Sequence, residues 1–166
     1  MRVLVAIDRA GSVSIRSRIG TDKTAQFPEI ADTLARIPPL RDAMLDGEIV
    51  AVGRRGEPLG FPRLERRTAL THRRDIDAAR RSQPAALVVF DVLRSHGKDL
   101  RALPFNARRA QLERLFHGVR DPIIRVSTLH VGDGRALYAQ ALRDRATGAA
   151  GEGSWQTAGC ALPREA

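Results

Sequence analysis

The chain has 166 residues, which is enough for one domain with a hydrophobic core and short for two. Its 43% of apolar residues exclude a disordered chain, and 28 basic against 19 acidic residues leave a net charge of +9 that favours a polyanionic partner such as nucleic acid. All basic residues except Lys23 and Lys98 are arginines, so a GC-rich genome is an alternative source of this charge.

A cytoplasmic protein without a membrane partner is expected. The single cysteine, Cys160, excludes an internal disulfide framework and suits a reducing compartment. No apolar run is long enough for a signal peptide or a membrane span.

The first elements predicted along the chain are a β-hairpin and a helix. Two β-branched runs, residues 3–8 and 13–18, flank a turn at residues 9–12, which is typical of a hairpin. In residues 29–37 apolar side chains recur at helical spacing, until two consecutive prolines end the helix.

The rest of the chain alternates strands and helices irregularly, which predicts an α+β fold of mostly antiparallel sheets flanked by helices. Beyond residue 147 the periodicity fails, so we expect one domain over residues 1–147 and an irregular segment over residues 148–166. The remaining predicted elements are a strand at 44–52, a basic helix at 71–82, a strand at 85–93 with its exit turn at 95–99, a helix at 105–116, a strand at 123–129 and a helix at 134–145.

Charged and aromatic residues interrupt or follow the apolar strands at three places. Asp46 and Glu48 lie inside M-L-D-G-E-I-V-A-V, Phe90 lies inside A-A-L-V-V-F-D-V-L, and Arg18 follows the second strand. A carboxylate that enters an apolar strand without a partner costs several kcal/mol or must be neutralised. If these strands line one cleft, they supply a cation for phosphate, an acceptor for a ribose hydroxyl and a ring for a base.

The order of four motifs resembles the adenylation domain of bacterial ATP-dependent DNA ligases, especially the end-joining type. The motifs are S-R-x-G-x-D from Ser17, L-D-G-E-I-V-A from Leu45, F-x-x-L-x-R-R from Phe61 and V-V-F-D-V-L from Val88. P-E-I at residues 28–30 and L-P-F-N-A-R-R-A-Q-L-E-R-L at residues 103–115 are similar to the connecting helices of that family. The resemblance covers residues 2–146.

This resemblance implies an incomplete covalent nucleotidyltransferase (ATP-grasp-like) fold and a reaction in three steps. A lysine attacks the α-phosphate of ATP, AMP passes to a 5′-phosphate at nicked or broken DNA, and a 3′-hydroxyl displaces AMP, with Mg²⁺ offsetting charge on the triphosphate. It also implies the following assignments: Arg2, Arg18, Glu48 and Phe90 for ATP or AMP, with Glu48 on the ribose and Phe90 on adenine; Asp46 and Glu152 as metal ligands or supporting acceptors; and Arg66, Arg67, Arg73 and Arg74 for DNA.

Singly, these residues have ordinary structural explanations. Phe90 is typical of a core residue, Arg18 of an exposed hairpin charge, and Asp46 with Gly47 of a strand bulge. Their order along the chain is what favours the ligase interpretation.

The family's nucleophilic lysine lies in K-x-D-G-x-R, and Met1-Arg2 aligns with the end of that motif. Neither Lys23 nor Lys98 has the required context, so the chain is expected to be inactive alone in ligation, with the lysine expected upstream of Met1. At the other end, Glu152-Gly153 stands where the family has E-G-x-V-x-K. With suitable codons for Ser-Trp-Gln, a one-base shift gives E-G-V-V-A, followed by Asn or Asp in place of the family's lysine. We therefore interpret residues 148–166 as a frameshifted segment.

Two alternatives remain open at the level of sequence. One is a non-catalytic basic module that binds nucleic acid, since arginines concentrate in the middle third of the chain. The other is an RNA ligase or a capping-type nucleotidyltransferase. An association with the nucleoid follows from a DNA partner, and the sequence does not indicate an oligomeric state.

Overall fold

The computed structural model describes residues 1–53, 56–59, 61–129 and 134–146, and within them it has one seven-stranded sheet with five α-helices, an α+β fold as predicted. The strands are β1 (Arg2–Ile7), β2 (Val13–Ser17), β3 (Ala43–Val52), β4 (Pro58–Leu59), β5 (Ala85–Ser95), β6 (Lys98–Asp99) and β7 (Ile124–Val126). The helices are α1 (Pro28–Ala35), α2 (Phe61–Thr68), α3 (Arg73–Ser82), α4 (Phe105–Leu115) and α5 (Gly134–Ala146).

The sheet has the strand order β2-β1-β3-β5-β6, and β4 pairs with β3. These pairs are all antiparallel, as the sequence predicts, and the predicted hairpin forms with Val3 opposite Ser17 and Ile7 opposite Val13. The exception is β7, which runs parallel to β5 over three residue pairs. Among the described strands, β3 and β5 have three neighbours each: β1, β4 and β5 for β3, and β3, β6 and β7 for β5.

The core lies on one face of the sheet, under helices α1 and α4. Alternate residues of the strands point to this face, because successive side chains of a strand point to opposite sides. Val5, Leu45 and Leu87 are fully buried there, and Leu34 of α1 and Leu112 of α4 pack in the same cluster. The opposite face carries Arg2 of β1 and Asp46 and Glu48 of β3.

A close approach of β5 to β3 explains the glycine in the D-G-E stretch. A Cβ atom on Gly47 would lie 2.8 Å from the carbonyl oxygen of Val88 and 3.3 Å from the Cα atom of Val89. Both neighbours are backbone atoms of β5 and cannot move aside without disturbing the ladder. Gly47 is therefore required by packing between the two central strands.

Several predictions fall outside the described residues. The domain boundary at residue 147, the segment 148–166 and Glu152 belong to this part of the chain. Among the described residues, no helix has both the length and the apolar character needed to cross a membrane.

Candidate functional site

Three neighbouring strands bring Arg2, Glu48 and Phe90 together on the face opposite the core. Arg2 of β1 is the register partner of Glu48 of β3, and Glu48 is in turn the partner of Val88, two residues before Phe90. The guanidinium carbon of Arg2 lies 5.6 Å from the centre of the Phe90 ring, within the range of a cation–π contact. The Arg2 side chain is 63% exposed and the Glu48 side chain 41%, so this face is open to a ligand.

A β-bulge accounts for the position of Phe90. Asp46 pairs with Asp91, but the next residue of β3, Gly47, pairs with Val89, so Phe90 is left without a partner in the ladder. Such an extra residue bends the strand and redirects side chains, and bulges of this kind are common beside functional sites. Phe90 is only half-buried, unlike the residues 85–89 that precede it, which are all buried. The register shift lies at Asp46 and Gly47, where the sequence suggested a bulge, but the extra residue is on β5 rather than on β3.

Asp46 holds Arg2 in place. The Nε atom of Arg2 donates to Oδ1 of Asp46 at 3.1 Å, and Nη2 donates to Oδ2 at 2.7 Å, while the residue Asp46 is 6% exposed. This two-point contact, helped by the nearby charges of Asp91 and Glu48, raises the pKa of the Arg2 guanidinium. Asp46 is thus a supporting acceptor with both oxygens engaged. Within the described residues, no group of three or more His, Cys, Asp or Glu side chains could hold a metal ion.

A second arginine and carboxylate pair lies at the next strand. Arg108 of α4 donates from Nε to Oδ1 of Asp91 at 2.9 Å and from Nη2 to Oδ2 at 2.6 Å, which raises the pKa of Arg108. Asp91 also accepts the backbone N–H of Val92 through Oδ1 at 2.8 Å. Sequence reasoning missed Arg108; its only signal was the arginine pair in the helix motif at residues 103–115.

Glu48 has a polar neighbour at the start of the chain. The amino group of Met1 donates to Oε1 of Glu48 at 3.0 Å and to the carbonyl oxygen of Ile49 at 2.7 Å. The amino group therefore lies at the carboxylate predicted to bind a ligand hydroxyl.

Arg18 lies in the turn that follows β2, just beyond the ladder pair of Val3 and Ser17. The β1–β2 ladder ends at Val3 and Ser17, and Arg18 begins a tight turn closed by a hydrogen bond from Ser17 N to Thr21 O of 2.9 Å. Arg18 is exposed, and within the described residues it makes no hydrogen bond or ion pair with Arg2, Glu48 or Phe90. The structure therefore places Arg2, Glu48 and Phe90 on one face of three neighbouring strands, with Arg18 in the turn at the end of the β1–β2 ladder.

The prediction that Arg67 binds DNA is wrong. Arg67 is 1% exposed, and its guanidinium is held between Glu29, the backbone oxygens of Gln26 and Gln83, and the ring of Phe27 at 4.9 Å. A guanidinium buried in this way cannot reach a phosphate. Arg66, Arg73 and Arg74 are exposed, with Arg73 3.9 Å from Asp77.

The two lysines lie away from the cluster. Lys23 donates from Nζ to the carbonyl oxygen of Thr68 at 3.0 Å, where it joins the turn after β2 to the end of α2. Lys98 is exposed on β6, in the hairpin that follows β5.

A separate cleft of about 410 Å³ is lined by Phe116, Val119 and Ile124, and none of its lining residues belongs to the cluster around Phe90.

Comparison with known proteins gives consistent results. Residues 1–153 match the family model described as the ATP dependent DNA ligase domain. A probable DNA ligase of Streptomyces coelicolor is 36% identical over 115 residues, covering 69% of this chain and 22% of that protein. A probable DNA ligase of Streptomyces griseus is 34% identical over 143 residues, covering 86% of this chain and 27% of that protein. The chain therefore spans about a quarter of the length of these relatives.

Solved structures show the same fold. The ligase domain of M. tuberculosis LigD superimposes with a TM-score of 0.64 at 27% identity, over 86% of this chain and 41% of that chain. A mycobacterial DNA ligase D complexed with ATP and MES superimposes with a TM-score of 0.62 at 26% identity, over the same fractions of each chain. The matched family model, the similar sequences and the shared fold agree, and the chain belongs to the ATP-dependent DNA ligase domain family.

Proposed function

We propose that this chain forms the part of a DNA ligase adenylation domain that binds the adenosine portion of ATP. One observation carries the proposal: three adjacent strands bring a guanidinium, a carboxylate and an aromatic ring to one open face of the sheet. Each group matches one part of a nucleotide in chemistry, and the family to which the chain belongs is ATP-dependent.

The three side chains take different roles in this proposal. The ring of Phe90 stacks on the adenine base, for which an aromatic face is worth about 1–3 kcal/mol. The exposed carboxylate of Glu48 accepts a hydrogen bond from a ribose hydroxyl. Arg2, held by Asp46, presents its remaining N–H groups and its charge to the phosphates, and Arg18 contacts the sugar or the DNA end from the turn after β2.

The reaction of the whole ligase needs groups beyond these. Mg²⁺, when bound, offsets negative charge on the triphosphate. Asp46 is occupied by Arg2, so this carboxylate fits the support of Arg2 better than the coordination of a metal ion. Lys23 bonds to Thr68 and Lys98 lies on β6, so neither lysine is a ladder neighbour of Phe90 or Glu48. We therefore expect the 166-residue chain itself to form no lysyl-AMP.

The proposed macromolecular partner is nicked or broken DNA, which places the protein in the cytoplasm at the nucleoid. Exposed arginines of α2 and α3, including Arg66, Arg73 and Arg74, supply charge for the phosphate backbone. The same residues support the alternative of a basic module that binds nucleic acid without catalysis. A preference for nicks with a 5′-phosphate over plain duplex favours the ligase, and equal binding favours the module.

Nucleotide binding by the full chain tests the proposal. The affinity for ATP is measured by calorimetry for the wild-type chain and for Phe90→Ala and Glu48→Gln. Loss of the stacking ring should weaken binding about tenfold, and loss of the carboxylate about three- to tenfold. Tyr138→Ala and Glu65→Gln, which change exposed residues outside the site, are the matched controls.

Equal affinity for ATP in the wild-type chain and in Phe90→Ala would contradict the proposed binding site. Incorporation of label from α-labelled ATP into the chain as given would contradict the expectation that it forms no lysyl-AMP, because that would require a nucleophile at Lys23, Lys98 or another side chain.

A further inference from the structure

Every nitrogen of the Arg108 guanidinium has a partner inside the protein. Two of its nitrogens bind the carboxylate of Asp91, and the third, Nη1, donates to the carbonyl oxygen of Leu103 at 2.7 Å. Its carbon also lies 6.0 Å from the centre of the Phe105 ring, and its side chain is 17% exposed. All three nitrogens therefore have a protein partner, and at most two of the five N–H groups remain for any other acceptor. The contact that leads from Arg108 toward Phe90 is the one with Asp91.

Asp91 connects Arg108 to the bulge in β5. It is the residue after Phe90, and its Oδ1 atom accepts both Nε of Arg108 and the backbone N–H of Val92. The side chain and backbone that follow Phe90 are therefore tied to helix α4. The ladder provides no such hold at Phe90 itself, because Phe90 has no partner on β3.

Arg108 also compensates the negative charge of the buried Asp91 carboxylate. Asp91 lies directly opposite Asp46 in the ladder, and both residues are at most 9% exposed. Two neighbouring carboxylates repel each other in a site of low polarity unless each has its own cation. Arg2 neutralises Asp46, and Arg108 neutralises Asp91. Without Arg108 the bulge would hold an uncompensated buried charge, and its backbone would have to rearrange.

We propose that Arg108 is a positioning residue for adenine recognition: by clamping Asp91, it fixes the bulge that turns the ring of Phe90 toward Arg2 and Glu48. This inference rests on the proposed function only for the identity of the ligand. The position of the ring in the free protein is part of the inference itself, and it can be measured without a nucleotide.

The first test is NMR spectroscopy of the full chain without ligand. Arg108→Ala should shift the ring resonances of Phe90 and the amide resonance of Val92. Arg114→Ala is the matched control, because Arg114 lies on the same helix, is exposed and is bonded to Gln111. Arg108→Lys keeps the charge but loses the two-point contact, and it should give a smaller shift of the same resonances. This second variant serves if Arg108→Ala does not fold.

The second test is a double-mutant cycle on the affinity for ATP. Arg108→Ala alone should weaken binding about five- to tenfold, which is part of the stacking energy of the ring. In the Phe90→Ala background the same substitution should change the affinity less than about twofold, because its route of action is already removed. A residue that affected binding only through overall stability would change the affinity by the same factor in the wild-type and Phe90→Ala backgrounds.

The outcomes separate the two proposals. Unchanged Phe90 resonances in Arg108→Ala, or independent effects of the two substitutions on the affinity, would overturn the inference. Shifted resonances together with no effect of Phe90→Ala on ATP binding would uphold the positioning of the ring by Arg108 and overturn the nucleotide as its ligand.

Discussion

Arg67 of α2 and Glu29 of α1 form an ion pair that is buried on both sides, with Arg67 Nη2 2.6 Å from Glu29 Oε2. The two residues are 38 positions apart and belong to two of the motifs that carry the family resemblance. Arg67 also donates to the backbone oxygens of Gln26 and Gln83, so it joins the start of α1 to the end of α3. These motifs therefore meet in the interior, where they fix the helices against the sheet.

Removal of one partner of this pair should be strongly destabilising. Arg67→Ala leaves Glu29 buried without a cation, which typically costs about 3–5 kcal/mol of unfolding free energy. Arg66→Ala, at the exposed neighbouring position, should change the unfolding free energy by less than about 0.5 kcal/mol. Urea unfolding followed by circular dichroism measures both values, and equal effects of the two substitutions would refute a structural role specific to Arg67.

A methyl group at Gly47 should not be tolerated between β3 and β5. Gly47→Ala places a Cβ atom against the carbonyl oxygen of Val88, and overpacking of this kind costs about 1–3 kcal/mol. The melting temperature should fall, and the amide resonances of Val88 and Val89 should shift. Ala10→Ser, in the exposed turn of the first hairpin, is the control. A melting temperature unchanged by Gly47→Ala would contradict the close approach of the two strands.

The pKa of Asp99 should be about 2, lowered from 3.8 by hydrogen bonds from the side chain and the backbone N–H of Arg101. A carboxyl whose pKa is lower in the folded state contributes stability above its unfolded pKa, and this contribution is lost as the pH falls from about 4 to about 2. An NMR titration of the side-chain carboxyl carbon measures the value. Arg101→Ala should move the pKa of Asp99 upward, and a value near 3.8 in the wild-type chain would disprove the pairing.

The exposed arginines of α3 should determine the salt dependence of DNA binding. If Arg73 and Arg74 each neutralise one phosphate, the double substitution Arg73→Ala with Arg74→Ala should reduce the slope of log K against log salt by about 1.8. Arg101→Ala with Arg114→Ala removes the same charge elsewhere and should leave the slope unchanged. An equal reduction of the slope in both double variants would show that only the net charge of the protein matters. It would contradict the proposal that Arg73 and Arg74 contact DNA.

Much of the fold is predictable because periodicity decides it locally. The hairpin, the strand around Asp46 and helix α1 follow from alternation, helical spacing and proline. The buried role of Arg67 also had a signal: it lies three residues after Leu64, so both point to the same side of α2, and Leu64 is 2% exposed. The high polarity of α2 concealed this spacing.

The position of Phe90 could not be predicted in the same way. It depends on a one-residue offset between two strands that are about 40 residues apart, and sequence alternation alone places Phe90 and Asp91 on opposite faces. The pairing of Asp91 with Arg108 depends on how α4 docks on the sheet, which is a tertiary arrangement. Strand register and helix docking determine where the site residues lie, whereas local sequence patterns determine only the strands that carry them.

The three neighbours of β5 have a kinetic consequence. A strand bonded on both edges opens only when a large part of the domain unfolds, so the amides of Leu87 and Val89 should be among the slowest to exchange with deuterium. The aromatic ring thus belongs to a strand that is bonded along both edges. A ligand that docks on such a support finds its platform already ordered, and little of its binding free energy is consumed in immobilising the backbone.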